Sequence, residues 1–341
     1  MKQVIVLVAC VLLAASSAAS ANDKIKPLHG SQSSGKLGAM SPTEIVLEVG
    51  TTKKKLAVNE IDSVLFDGEP NELAQARIAV HAGRDRDAVS MLAKIDASKI
   101  DRPEILQDIE FYRAMAASHL ALAGTGSKAD AGKKLFAFEK AHRTSFHYFE
   151  ACEALGDLLM GLNKFAEAES FYNKLAAAPW PEYKARAGVL SGRALLGQRQ
   201  FDRASAKFDD VLAIDSDDKK IDGHKLAARL GKAAALAGAG KADEAIRQTE
   251  EIIAQTDPEN QELHARAYNV LGNCYLAAGK KKDALLAFLH VDLLYSRFAD
   301  LHAEALANLA TLWADVDKAD RAEQARATLK QKYPTSAWAQ K

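Results

Sequence analysis

Few residue groupings in this 341-residue chain have the types and spacing that chemistry would need. Gly30-Ser31-Gln32-Ser33-Ser34-Gly35-Lys36 imitates a phosphate-cradling loop, whose lysine and backbone N–H groups hold phosphates while a following hydroxyl holds magnesium. The place of that hydroxyl is taken by Leu37, and no strand-to-helix pattern flanks the stretch. Gly124-Thr125-Gly126-Ser127-Lys128-Ala129 imitates a dinucleotide fingerprint but follows a helical pattern instead of a strand, which makes it an interhelix loop. There is no H-E-x-x-H, C-x-x-C or G-x-S-x-G, and in Gly188-Val189-Leu190-Ser191-Gly192 the serine stands one place late. Asp217-Asp218 falls in a polar loop, where carboxylates stay solvated. His147, His224, His264 and His302 recur within about one residue of the same place in successive helical units, a pattern that would suit a pH sensor or a loose metal site. Neighbouring helices stand about 8–10 Å apart, however, and metal ligands must come within about 2 Å, so the four are read as structural. Nucleophile, base and orienting group cannot be assembled. The sequence therefore predicts a non-enzymatic chain with no cofactor and no metal.

Composition agrees with a folded, non-nucleic-acid role. Hydrophobic residues make up 48%, and 45 Lys+Arg balance 45 Asp+Glu, which argues against disorder and against a histone-like binder. At the start, Lys2 precedes an apolar run from Val4 to Ala15, and Ala19-Ser20-Ala21 forms an A-x-A cleavage signal. Residues 1–21 are read as a signal peptide. Cleavage after Ala21 leaves 320 residues with 44 Lys+Arg against 45 Asp+Glu. Leu7-Val8-Ala9-Cys10 also looks like a lipoprotein box, but Cys10 comes early and is followed by more apolar chain, Val11 to Ala15. Cys152 and Cys274 lie in apolar helical stretches and are read as small buried hydrophobes. No other run reaches the roughly 18 apolar residues that a membrane span needs. The expected location is extracytoplasmic, periplasmic or secreted, in soluble form.

Residues 22–42, with Gly30, Gly35, Gly38, Pro27, Pro42 and many serines, read as a flexible leader. Ile45, Leu47 and Val49 then alternate on one face, and Lys53 to Val58 and Ile61, Val64, Phe66 continue a small β module over 43–68. Pro70 and Glu72 open the first helix. From there to the end, 69–341, the pattern is helical and repeats.

The clearest copies are Tyr268-x-x-Leu271-Gly272-x-x-Tyr275-x3-Gly279-x4-Ala284-x3-Phe288 and Leu155-Gly156-x-x-Leu159-x5-Phe165-x-x-Ala168-x3-Tyr172. A small residue recurs at Ala88, Ala131, Ala168, Ala204, Ala245, Ala284 and Ala322, with a mean spacing of 39. On these residues the chain resembles the tetratricopeptide repeat, whose unit is about 34 residues. The resemblance implies an all-α, right-handed α-solenoid of about seven helix pairs behind the β module. Gly156, Gly192, Gly231, Gly272 and Ala310 would let the first helix of each pair approach its neighbours, while Tyr172, Phe208 and Phe288 fill the space between units.

The resemblance further implies that the first helix of each pair lines a concave groove through its positions 2, 5, 9 and 12. Counted from the Leu-Gly positions, these place Glu150, Glu153 and Asp157 in the third repeat, Arg186 and Arg193 in the fourth, Lys225 and Lys232 in the fifth, and Arg266, Asn269 and Asn273 in the sixth. Asn273 with Asn308 matches two parts of a carboxylate clamp, although Asn269 stands where the clamp's lysine would be. The expected function is a protein-interaction scaffold of the bacterial cell envelope, similar to periplasmic tetratricopeptide proteins, with an extended, acidic peptide as partner. The alternative is a soluble binding protein for an anionic glycan or another non-protein ligand.

Overall fold

The computed structural model describes residues 22–334 and 336–339. The A-x-A signal and Cys10 lie outside them. Five strands come first: β1 (Asp23–Pro27), β2 (Ser33–Met40), β3 (Glu44–Val49), β4 (Thr52–Ala57) and β5 (Ile61–Leu65), all antiparallel, in the order β4-β3-β2-β1-β5. This corrects the reading of residues 22–42 as a flexible leader, since β1 is paired on both sides. The glycines and serines there serve close strand approach. A Cβ at Gly38 would lie 3.3 Å from the Val46 carbonyl oxygen, and Gly35 faces the Glu48 carbonyl still more closely. Asp23 anchors the strand from a fully buried position. Its carboxylate accepts from the Leu37 N–H at 2.8 Å, the Asp67 N–H at 2.9 Å and the Arg102 guanidinium at 2.7 Å. Burial alone would raise its pKa, but these donors hold it below the ordinary aspartate range. The phosphate-loop imitation is thus the β1–β2 connection and the start of β2.

Fourteen helices follow among the described residues: α1 (Asn71–His81), α2 (Asp85–Leu92), α3 (Pro103–Leu122), α4 (Lys128–Ala141), α5 (Tyr148–Gly161), α6 (Phe165–Leu175), α7 (Pro181–Gly197), α8 (Phe201–Leu212), α9 (Asp222–Gly238), α10 (Ala242–Gln255), α11 (Gln261–Ala277), α12 (Lys281–Leu294), α13 (Ala299–Asp315) and α14 (Ala319–Lys332). They form seven consecutive pairs. Each helix packs on the next in sequence, and the odd-numbered helices also touch one another, so they line the inner face. Of these neighbours α5 and α7 make the least contact, leaving a cleft between them. Gly124 and Gly126, both at positive φ, turn the chain from α3 to α4 where the dinucleotide imitation stands.

The repeat alanines, Ala88 to Ala322, are all buried, as close helix pairing requires. A Cβ at Gly272 would fall 2.6 Å from the Phe288 ring and one at Gly192 2.5 Å from the Phe208 ring. The structure adds a second set of seats at the helix ends, where Gly197 meets Phe165 and Gly238 meets Phe201. Cys152 and Cys274 are buried free thiols, and burial pushes them up to about 12 and about 11. No helix among the described residues is long and apolar enough to cross a membrane.

The sheet is continuous with the helical core. Ile25, Ile45, Leu47 and Val64 share one apolar cluster with Leu73, Ile109 and Leu155. A buried ionic network reinforces the junction. Arg77 of α1 forks onto Glu69 at 3.1 and 3.0 Å and reaches Asp108 of α3 at 2.7 Å, and Asp108 in turn bonds His147 Nε2 at 2.8 Å.

Candidate binding groove

The inner face changes charge along its length because each odd helix presents one stripe of residues. On α5, Glu150, Glu153 and Asp157 fall at i, i+3 and i+7 and so share a face. They line a cleft of about 300 Å3 against Met115, Ser118 and Leu122 of α3 and Tyr183 and Arg186 of α7. Glu153 accepts from Arg186 at 2.7 Å, and Asp157 accepts from the Tyr172 hydroxyl at 2.7 Å. Burial, with Asp157 and Glu150 nearby, pushes Glu153 up to about 7 against the opposing pull of Arg186. Asp157 is raised as well, again chiefly by burial.

On α7 the same stripe continues as Arg186, Val189, Leu190 and Arg193. With His224, Leu226 and Ala227 of α9 and Leu263 and Arg266 of α11 it forms a second cleft of about 400 Å3. Arg186 is the wall shared by the two. Three of the expected groove residues, Arg186, Arg193 and Arg266, therefore converge from two helices onto one apolar floor. Arg186 is paired with Glu153, and Arg266 with Glu262 of its own helix at 3.1 Å. The Arg193 guanidinium makes no hydrogen bond or ion pair among the described residues. Burial first, and Arg266 second, lower its pKa to about 10. His224 is depressed for the same reasons, by burial and then by Arg186 and Arg193.

The remaining expected residues take other roles. Lys232 bonds Asp209 of α8 at 2.5 Å, and neither it nor the partly exposed Lys225 lines either cleft. Asn269 stands with Arg193 and Arg266 in a smaller extension of about 170 Å3. Its Nδ2 donates to the Leu301 carbonyl at 2.9 Å and to Glu304 at 3.3 Å, and Asn273 donates to the other Glu304 oxygen at 3.0 Å. Asn308 donates to the Glu304 carbonyl one turn back, at 3.0 Å. The would-be clamp thus already holds a carboxylate of the chain itself.

The four histidines meet four different surroundings. His147 is buried on Asp108 and stacked on Phe111, with ring centroids 3.7 Å apart. His302 bridges Asp292 at 2.7 Å and the Tyr333 hydroxyl at 2.8 Å, His224 faces the arginine cleft, and His264 has a buried Nε2 with no hydrogen-bond partner among the described residues. Among the described residues, no three His, Cys, Asp or Glu side chains converge as metal ligands.

The sheet borders the groove at its amino-terminal end. Asn59, between β4 and β5, donates to Glu182 in the first turn of α7 at 2.7 Å. Val58, Ile61 and Val64 close a small cavity of about 150 Å3 against Tyr112, Phe149 and Tyr183. This contact, and the apolar floor at Val189, Leu190, Leu226 and Leu263, went unread in the sequence. The floor had a signal in the i, i+3 and i+4 spacing of its residues beside the arginines, whereas a contact 123 residues apart had none.

The solved structures to which this arrangement is similar settle the class of its fold. A tetratricopeptide repeat protein from Parabacteroides merdae superposes with a TM-score of 0.58 at 16% identity, over 77% of this chain and 92% of that one. The solenoid is tetratricopeptide-like. A Rap protein complexed with Competence and Sporulation Factor gives 0.56 at 15% identity over 78% and 76%. The apo form of the quorum sensor NprR from B. thuringiensis gives 0.56 at 14% over 76% and 74%. No protein-family model and no curated protein matches the chain.

Proposed function

We propose that this chain is a non-enzymatic interaction scaffold of the cell envelope that holds an extended, acidic peptide segment in its inner groove. The observation that carries the reading is Arg193, a partly buried guanidinium without a partner among the described residues, beside Arg266 and above an apolar floor. A cation placed there without an anion costs desolvation that a ligand carboxylate would offset. Val189, Leu190, Leu226 and Leu263 supply the apolar anchors that a peptide needs beside its charges. The Rap protein of similar fold, solved with its factor, supports a groove that receives a partner.

Arg193→Glu is expected to abolish capture of acidic peptides from an immobilised array, with helicity unchanged. Lys232→Glu, whose lysine serves Asp209, is expected to leave capture within about twofold, the scale of an exposed charge. Added salt should weaken wild-type binding, since the Debye length falls below about 8 Å above physiological ionic strength. Binding that ignores both Arg193→Glu and salt would remove the groove from the function, and capture of anionic polysaccharide but no peptide would establish the glycan alternative.

Export belongs to the same proposal. Cleavage after Ala21 would turn the Asn22 nitrogen, 3.2 Å from the Asp67 carboxylate, into an ammonium paired with it. The mature protein is expected to begin at Asn22 without lipid, as N-terminal sequencing and intact mass would report. A chain beginning at Cys10, or one retaining residues 1–21, would overturn export by this route.

A further inference from the structure

We infer that the peptide held in the groove carries a base as well as an acid: a Lys or Arg side chain in the cleft between α5 and α7, about three residues from a carboxylate on Arg193 and Arg266. This rests on the peptide-binding reading and specifies the chemistry of the partner.

Two independent features of the α5–α7 cleft call for a cation. Glu150, Glu153 and Asp157 converge there; among the described residues Arg186 is the one guanidinium lining it, and His119, the other basic side chain there, bonds Asp85 of α2 at 2.8 Å. Glu150 at the exposed rim is held by His147 at 3.5 Å, whereas burial and the neighbouring carboxylates press Glu153 toward protonation and burial raises Asp157, so these two inner carboxylates are under-compensated. Ser118, fully buried and lining the same cleft from α3, has an Oγ with no hydrogen-bond partner among the described residues. Its lone pairs, with the carboxylates of Glu153 and Asp157, make an acceptor set for an ammonium or guanidinium, which has only donors to offer.

Arg186 couples the two clefts. Its guanidinium is paired with Glu153 at 2.7 Å. A ligand cation that takes over Glu153 releases Arg186 toward Arg193 and Arg266, where it joins them on the ligand's acid. Base and acid therefore favour each other's binding across α7. The two clefts lie on opposite sides of that helix, and neighbouring helices are spaced about 8–10 Å, which an extended peptide at about 3.3 Å per residue covers in three residues.

The test is an octapeptide library with Lys and Glu fixed three positions apart, in both orders, against one library with Gln in place of the Lys and another with Gln in place of the Glu, all on the full mature chain. The base-and-acid library is expected to bind about tenfold tighter in one order, the gain of about one charge-assisted hydrogen bond. Glu153→Gln should erase that gain while the preference for Glu over Gln persists, and Arg193→Glu should erase the preference for Glu. Ser118→Ala provides a second variant that leaves every charge in place and should reduce the gain. Equal binding of the Lys and Gln libraries, or a gain that survives both Glu153→Gln and Ser118→Ala, overturns the inference and leaves the acidic-peptide reading standing. No retention of any Glu-containing peptide overturns both.

Discussion

Replacing Asp108 with alanine is expected to remove about 3–5 kcal/mol of stability, the scale seen when one member of a buried ion pair is deleted. Asp108 is 1% exposed, and its two oxygens face Arg77 at 2.7 Å and His147 at 2.8 Å. Its loss leaves Arg77, 4% exposed, with Glu69 alone, and leaves His147 Nε2 unpartnered beneath Phe111. The site joins the end of the sheet to α1, α3 and α5, so the damage should appear first as loss of the amino-terminal section in urea unfolding followed by hydrogen exchange.

The same network sets a pH dependence whose two limbs have opposite signs. Burial pushes the Asp108 carboxyl up, but His147 and Arg77 more than reverse this and hold it below the ordinary 3.8. Its contribution is therefore present above 3.8 and is lost as pH falls through the lower folded value. Burial pushes His147 down, yet Asp108 and Glu150 hold it above the ordinary 6.5. Its contribution is complete below 6.5 and is lost as pH rises through the higher folded value. The network's own contribution to stability should therefore fall away on either side of a window from about 4 to 6.5. Asp108→Asn, which keeps the shape and removes the charge, should flatten the alkaline limb. A limb that persists in Asp108→Asn would assign the alkaline loss to another group.

This network also marks where the sequence stops being informative. The helix pairs were legible because close packing imposes a local rule: a small residue at Ala168 or Ala284, and an aromatic four places on at Tyr172 or Phe288, recur whatever the partner. The acid stripe on α5 and the basic stripe on α7 were legible for the same reason, being spacings within one helix. Lys225 and Lys232 share the register of Arg186 and Arg193, yet Lys232 turns to Asp209 on the adjacent helix, a choice made by a side chain 23 residues away. The sheet was half-read because Gly35 and Gly38 have the composition of a loop, and their role as close-approach positions exists only once Glu48 and Val46 are beside them. Asp108, a single acid inside an apolar helix pattern, pairs with residues 31 and 39 positions away that no local period could indicate.

The Phe208 ring gives the second large effect, with Phe208→Ala expected to cost about 3–5 kcal/mol. The side chain is fully buried on α8 and presses against the backbone of two odd helices at once, Gly192 of α7 and Gly231 of α9. Truncation therefore opens a cavity on both faces of one repeat, where collapse would require two helices to move together. Because a solenoid is held by contacts between neighbouring repeats, this breaks the chain of cooperativity in the middle. Unfolding should split into separate transitions, with exchange protection lost in α7 to α9 while α11 to α14 remain protected. Gly231→Leu approaches the same joint from the opposite side. A branched side chain has no room beside the Phe208 ring, so the helices must separate at a cost of about 1–3 kcal/mol or more. Combining the two changes gives the sharper test, since the alanine creates part of the space that the leucine needs. The double variant should be less destabilised than the sum of the single changes. Strict additivity would mean that Phe208 and Gly231 do not share one packing site, and the joint between the fourth and fifth repeats would have to be located elsewhere.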